Sequence, residues 1–183
     1  YNGGVKVFER NGSSWTQMAG WIQSGYNGGR TGVCVSLNAD GTVLAVITPR
    51  LLGRLDVFEW NGTSWIKIGN HIDLSAMSDD NWTLDDNFKL DINNDGSIVA
   101  VSLFKRYYDT NIEGKVSIYE WSGTAWNQKG ATLSGDVVGD QFGNSISLSS
   151  TGDRIAIGAF KNDASNGEVK IFDWDGSSWN SIK

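Results

Sequence analysis

The sequence predicts an all-β protein, a β-propeller made of four-stranded antiparallel blades. Two repeated segments and one absence point there. A segment of the form GxVxVFEWNGxxW occurs four times, and a second segment precedes three of those copies. Nowhere does a sustained i, i+3, i+4 apolar stripe run long enough for a helix.

The first segment reads GGVKVFERNGSSW (3–15), GRLDVFEWNGTSW (53–65), GKVSIYEWSGTAW (114–126) and GEVKIFDWDGSSW (167–179), aligned without gaps. Trp15, Trp65, Trp126 and Trp179 thus recur at intervals of 50, 61 and 53. The second reads VCVSLNADGTVLAV (33–46), FKLDINNDGSIVAV (88–101) and NSISLSSTGDRIAI (144–157), with Ala45, Ala100 and Ala156 spaced by 55 and 56. In the second segment Val33, Val35 and Leu37 alternate with Cys34 and Ser36, and Asp40-Gly41 turns the chain into the apolar run Val43–Ile47. Period two on either side of a DG turn predicts a hairpin. The first segment alternates too, and closes on Asn11-Gly12, Asn61-Gly62, Ser122-Gly123 and Asp175-Gly176. Two hairpins make one unit. The chain divides into a half blade in 1–22, holding the two outer strands, and whole blades in 30–70, 85–130 and 141–183.

The third strand of each unit is apolar on both faces, with Val57, Val116 and Val169 on one side and Phe58, Tyr119 and Phe172 on the other. Such a strand needs cover on both sides, which a radial stack of sheets supplies. Rings of this kind have about four to eight blades, so three and a half blades predict part of a larger propeller or a ring completed by another chain. Either version expects the strand at residues 3–10 to be paired along its edges.

Composition narrows the function classes. There are 15 Lys and Arg against 21 Asp and Glu, a net charge of −6, which opposes a nucleic-acid partner. No window approaches the roughly 20 apolar residues of a membrane-crossing helix. Cys34 is the single cysteine and His71 the single histidine, so an intrachain disulfide and a multi-histidine metal site are excluded. With no GxSxG elbow and no activated cysteine, the residues predict no enzyme.

Phe142-Gly143, then Gly158-Ala159-Phe160, then Gly167-Glu168-Val169-Lys170-Ile171-Phe172 resemble the FG-GAP repeat of integrin α-subunit propellers and related secreted proteins. The other units depart from it, carrying Thr31-Gly32 with Ile47-Thr48-Pro49, and Phe88-Lys89 with Ser102-Leu103-Phe104. The resemblance implies an extracellular or cell-surface location, a noncatalytic scaffold for protein contacts or adhesion, and the calcium loop DxNxDGxxD in some blades. Asp91, Asn93 and Asp95 fill three of its ligand positions, but Val99 stands at the ninth. A plain turn is the competing reading, and no other cofactor is expected.

Two further function classes stay open: a carbohydrate-binding propeller, and a propeller attached to an enzyme lying outside these residues. Trp21 and Trp82 fall outside the tryptophan register and are the candidates for a glycan. The loop FKRYYDTNIE lengthens its unit by about ten residues and presents Lys105, Arg106, Tyr107 and Tyr108, the side chains enriched at binding hot spots. Six Asp lie between Asp73 and Asp91, a cation or partner site if they are more than a solvated connection. Asn11, Asn61 and Asn81 satisfy the glycosylation pattern, two of them within repeated hairpin turns. The expected partners are another protein or other segments of the same propeller, with glycan as a third.

Overall fold

The computed structural model describes residues 3–23, 25, 29–49, 53–77, 86–105, 113–161 and 166–182. The hairpins form as predicted. A two-stranded unit, β1 (Phe8–Asn11) and β2 (Ser14–Gln17), is followed by β3 (Cys34–Leu37), β4 (Val43–Thr48), β5 (Arg54–Trp60), β6 (Trp65–Lys67) and β7 (Ile72–Asp73). The second whole unit comprises β8 (Asp86–Ile92), β9 (Ile98–Lys105), β10 (Lys115–Trp121), β11 (Trp126–Gln128) and β12 (Leu133–Ser134). The third comprises β13 (Phe142–Leu148), β14 (Arg154–Ala159), β15 (Glu168–Trp174) and β16 (Trp179–Ile182). All strands named here pair antiparallel in sequence order, and among the described residues one 3₁₀ turn, Ser75–Met77, is the only helical element.

One detail differs from the four-strand expectation. In two units the outer strand is broken: β6 pairs with Phe58–Trp60 and β7 with Arg54–Leu55, both on β5, and β11 and β12 divide β10 in the same way. Gly69 and Gly130 sit in the breaks at φ +69° and +78°. A Cβ there would lie 2.6 Å from Trp121 and 2.7 Å from Trp174 respectively, so the next unit's tryptophans close over each glycine.

Every unit has a leading face, turned to the unit before it, and a trailing face, turned to the unit after it. Aliphatic side chains form the trailing face and aromatics the leading one. Leu55 and Val57 of the first whole unit share a buried cluster with Val99, Tyr119 and Trp126 of the second. Val116 and Ile118 of the second meet Ile155, Trp179 and Phe172 of the third. The half blade sets Val7 on Leu44, Val46 and Trp65 in the same manner. Burying one such side chain contributes about 1.5–3 kcal/mol, so the stack, more than any single hairpin, holds the fold.

Polar bonds repeat with the same polarity. Trp126 Nε1 donates to the Ile68 carbonyl at 3.2 Å, and Trp179 Nε1 to that of Lys129 at 2.7 Å. Within each unit, paired tryptophans brace the outer turn, with centroids 5.5, 5.3 and 5.4 Å apart for Trp60–Trp65, Trp121–Trp126 and Trp174–Trp179. Along the inner turns, the Ala39 N–H donates to the Asn94 carbonyl and the Asn94 N–H to that of Ser150.

At the turns themselves, Asp40, Asp95 and Asp175 accept from the residues two or three positions on: Thr42, Ser97, and Ser177 with Ser178. These bonds hold all three carboxyls below the ordinary aspartate range, chiefly the side-chain hydroxyls of Thr42 and Ser97 for the first two and the Ser178 backbone N–H for Asp175. A lowered folded-state pKa contributes stability above the unfolded value, near 4, that is lost as pH falls further. The melting temperature is therefore expected to drop as pH is taken from about 5 to about 2, and Asp175→Asn to flatten part of that drop. Calorimetry across that range, with the same slope in both proteins, would remove the turn carboxylates as its cause.

The expected pairing at residues 3–10 is not met within this chain. The edge of β1 away from β2 carries no strand among the described residues, although Val5 bridges Ile22 and Gly3 bridges Thr31. Val33, Val35 and Leu37 of β3 are exposed on the side where the half blade's two inner strands would lie.

Candidate functional site

Long connections and tight turns segregate to opposite ends of the stack, because each unit's first and third strands start at one end and its turns close at the other. At the long-connection end of the third unit, the termini of β13, β14 and β15 leave an open cleft of about 360 Å³. Its polar lining is Asn144, Ser145, Asn166 and Glu168, and its apolar lining includes Phe160 and Val169. Lys161 Nζ stands 5.8 Å from the Phe160 ring centroid. Lys170 forms an ion pair with Asp136 of the incoming connection and lies 4.0 Å from Glu168. A carboxylate flanked by amides and a hydroxyl is a set that can take a proton from water and donate hydrogen bonds to a carbonyl.

A second cleft, of about 310 Å³, opens between the half blade and the first whole unit and is walled by Trp21, Phe58 and Trp65. Here the junction is looser. Ala19 occupies the place of Gly69 and Gly130, at φ +60°, and its methyl group stands where those glycines leave room for the tryptophan pair. Trp65 Nε1, the counterpart of Trp126 Nε1 and Trp179 Nε1, is buried without a hydrogen-bond partner.

The predicted site residues are scattered. Trp21 is exposed in this second cleft, with Lys6 Nζ 4.6 Å above its ring. Trp82, Asn81, Arg106, Tyr107 and Tyr108 lie outside the described residues, and Lys105 ends β9. Asn11 and Asn61 are exposed at their turns, where Asn61 Oδ1 accepts from the Thr63 and Ser64 backbone. The three calcium candidates carry structural bonds. Asp91 Oδ2 accepts from the Leu148 N–H of the next unit at 2.7 Å, and buried Asn93 accepts from the Ile98 N–H. Asp95 Oδ1 accepts from Ser97 Oγ at 2.6 Å. Among the described residues, no three His, Cys, Asp or Glu groups converge on a point fit for a metal ion. Of the recurring acids taken as turn or solvent groups, Asp173 instead pairs with Arg154 at 2.5 Å, and Glu120 with Lys129 at 3.2 Å. The Cys34 thiol donates to the Phe88 carbonyl, and burial pushes its pKa up, which suits a structural cysteine.

No protein-family model and no curated protein matches the chain. Solved structures do. A protein from Bacteroides uniformis described as a "putative 6-phosphogluconolactonase" superposes with a TM-score of 0.60 at 13% identity, over 98% of this chain and 50% of its own. A counterpart described in the same words, from Bacteroides fragilis, gives 0.53 at 13%, over 82% of this chain and 37% of its own. The β-propeller domain of the Trilobed protease from Pyrococcus furiosus, with an open velcro topology, gives 0.52 at 11%, over 98% and 49%. The fold is a β-propeller. The chain spans half or less of the length of these propellers.

These neighbours correct the expected function. The noncatalytic adhesion scaffold, with its lectin alternative, is overturned by neighbours described as lactonases and as part of a protease. The physical reason for the error is that the repeated tryptophans and turn residues encode the stacking of blades, which propellers of any function share. Among the described residues, no helix is long and apolar enough to cross a membrane.

Proposed function

We propose that these blades belong to the propeller of a hydrolytic enzyme that opens a phosphorylated sugar lactone. The cleft at the ends of β14 and β15 carries the proposal, since it sets Glu168 beside Asn144, Asn166 and Ser145. The likeness to the Bacteroides propellers over 98% of the chain directs it to a lactone. In the reaction, water adds to the lactone carbonyl while Glu168 takes its proton. Asn144 and Asn166 donate hydrogen bonds to the carbonyl oxygen as it gains charge, and the ring C–O bond breaks, leaving a hydroxyl after protonation.

The test is to incubate the intact protein with 6-phosphogluconolactone and follow acid release. Opening is expected to exceed the spontaneous rate, and Glu168→Gln to lower that excess by about 10²-fold or more with the fold intact. Opening at the spontaneous rate, or an unaffected Glu168→Gln protein, would sink the assignment.

A further inference from the structure

Two faces of the stack are left open, and they are the two halves of one junction. On the trailing side of the third unit, Val169 is 68% exposed and Ile171 38%. Their counterparts Leu55 and Val57, and Val116 and Ile118, are at most 1% exposed. On the leading side of the half blade, Phe8 is 47% exposed and Trp15 68%. Their counterparts are Tyr119 with Trp126, which pack on Leu55 and Val57, and Phe172 with Trp179, which pack on Val116 and Ile118. Each internal junction joins an aliphatic trailing face to an aromatic leading face, and the chain presents one uncovered example of each.

We infer that a second copy of this chain covers the trailing face of the third unit, seating its Phe8 and Trp15 on Val169 and Ile171 in a head-to-tail contact. The register is set by the internal junctions. Trp126 and Trp179 donate to the carbonyls of Ile68 and Lys129, each three residues beyond the preceding unit's tryptophan. By that spacing, Trp15 Nε1 donates to the Ile182 carbonyl of the other copy. Such a contact is heterologous: the two patches differ, so copies add in one direction until the rotation closes a ring. It also supplies a wall beside Val169, on the open side of the cleft that holds Glu168. In that respect it rests on the hydrolase reading, although the association stands on the junction alone.

The contact is weaker than an internal junction for two visible reasons. Arg10 stands where Trp60, Trp121 and Trp174 supply the first tryptophan of the pair, and the half blade adds only its outer hairpin. Association is therefore expected in the micromolar range.

Sedimentation velocity from about 1 to about 100 μM tests it. The protein is expected to grow beyond monomer with concentration, while Ile171→Asp and Trp15→Ala each weaken association by about 30-fold or more, as truncating a central anchor does. Both side chains are open to solvent in the single chain, so both variants should fold, as circular dichroism would verify. The decisive arm is the equimolar mixture: each variant keeps one intact face, so the mixture is expected to form a dimer and stop. A protein monomeric at every concentration, an association insensitive to both substitutions, or a mixture no larger than its components would overturn the inference. Loss of association with lactone opening retained defeats this inference alone, and the converse defeats the hydrolase reading alone.

Discussion

Replacing Trp179 by alanine is expected to lower stability by about 3–5 kcal/mol, the range of large buried aromatic truncations. Trp179 is 9% exposed, closes over Gly130 together with Trp174, and gives its indole N–H to the Lys129 carbonyl at 2.7 Å. The substitution therefore removes packing from both units of a junction and strips a carbonyl of its donor. Trp179→Phe separates the two effects, because it keeps a ring in the site and forfeits the hydrogen bond, a loss of about 1–3 kcal/mol. Trp15 occupies the same place in the repeat but faces solvent, so Trp15→Ala should alter monomer stability by no more than about 0.5 kcal/mol. Urea unfolding of the three variants checks the set. Equal losses at Trp15 and Trp179 would mean that position within the hairpin, and not the junction, sets the cost.

Gly114→Ala should be comparably damaging for a different reason. Its added Cβ would fall 1.8 Å from the Phe142 carbonyl oxygen and 2.7 Å from the carbonyl carbon. Those are backbone atoms of the following unit, which no rotamer change can move aside. The start of β10 would have to separate from β13, opening the cluster in which Phe142 is fully buried. A loss of about 3 kcal/mol, at the upper end of overpacking, is expected in chemical denaturation. Gly20→Ala, where a Cβ meets nothing within 4 Å, is the control and should stay within about 0.5 kcal/mol. If the two variants unfold alike, the approach of the two backbones is looser than the distances state.

How much of this was legible in the sequence follows from what each residue interacts with. The hairpins were readable because alternation and turn residues are local, and three of their turns lie at Asp40-Gly41, Asp95-Gly96 and Asp175-Gly176. Stacking was readable because Val57 and Phe58 lie on opposite faces of one strand and both demand cover. The direction of the stack was not, since alternation does not say which neighbour takes which face. Nor were β7 and β12 readable, two-residue pieces that exist only because the chain breaks at Gly69 and Gly130. Asn93 was misleading: an Asp-x-Asn-x-Asp-Gly string is also what a buried turn cap followed by a turn acid looks like, and Asn38 does the same work by accepting from Thr42 and Val43. The cleft was invisible beforehand because Asn144, Ser145, Asn166 and Glu168 come from two regions far apart in sequence and only one unit brings them together. The correspondence of Ala19 with Gly69 and Gly130 was present in the aligned repeats. Its meaning needed the tryptophans that close over those glycines and the unpaired indole of Trp65.

The bonds between inner turns run one way only, from Ala39 to Asn94 and from Asn94 to Ser150. An in-frame tandem duplication of one unit's coding segment would place a new copy whose donors and acceptors already meet those of its neighbours, and deletion of a unit would rejoin the flanking pair in the same fashion. Array length can therefore change during evolution in whole steps of about 55 residues without a compensating substitution at the seams. The connections at the opposite end, which take no part in those seams, are free to diverge between copies.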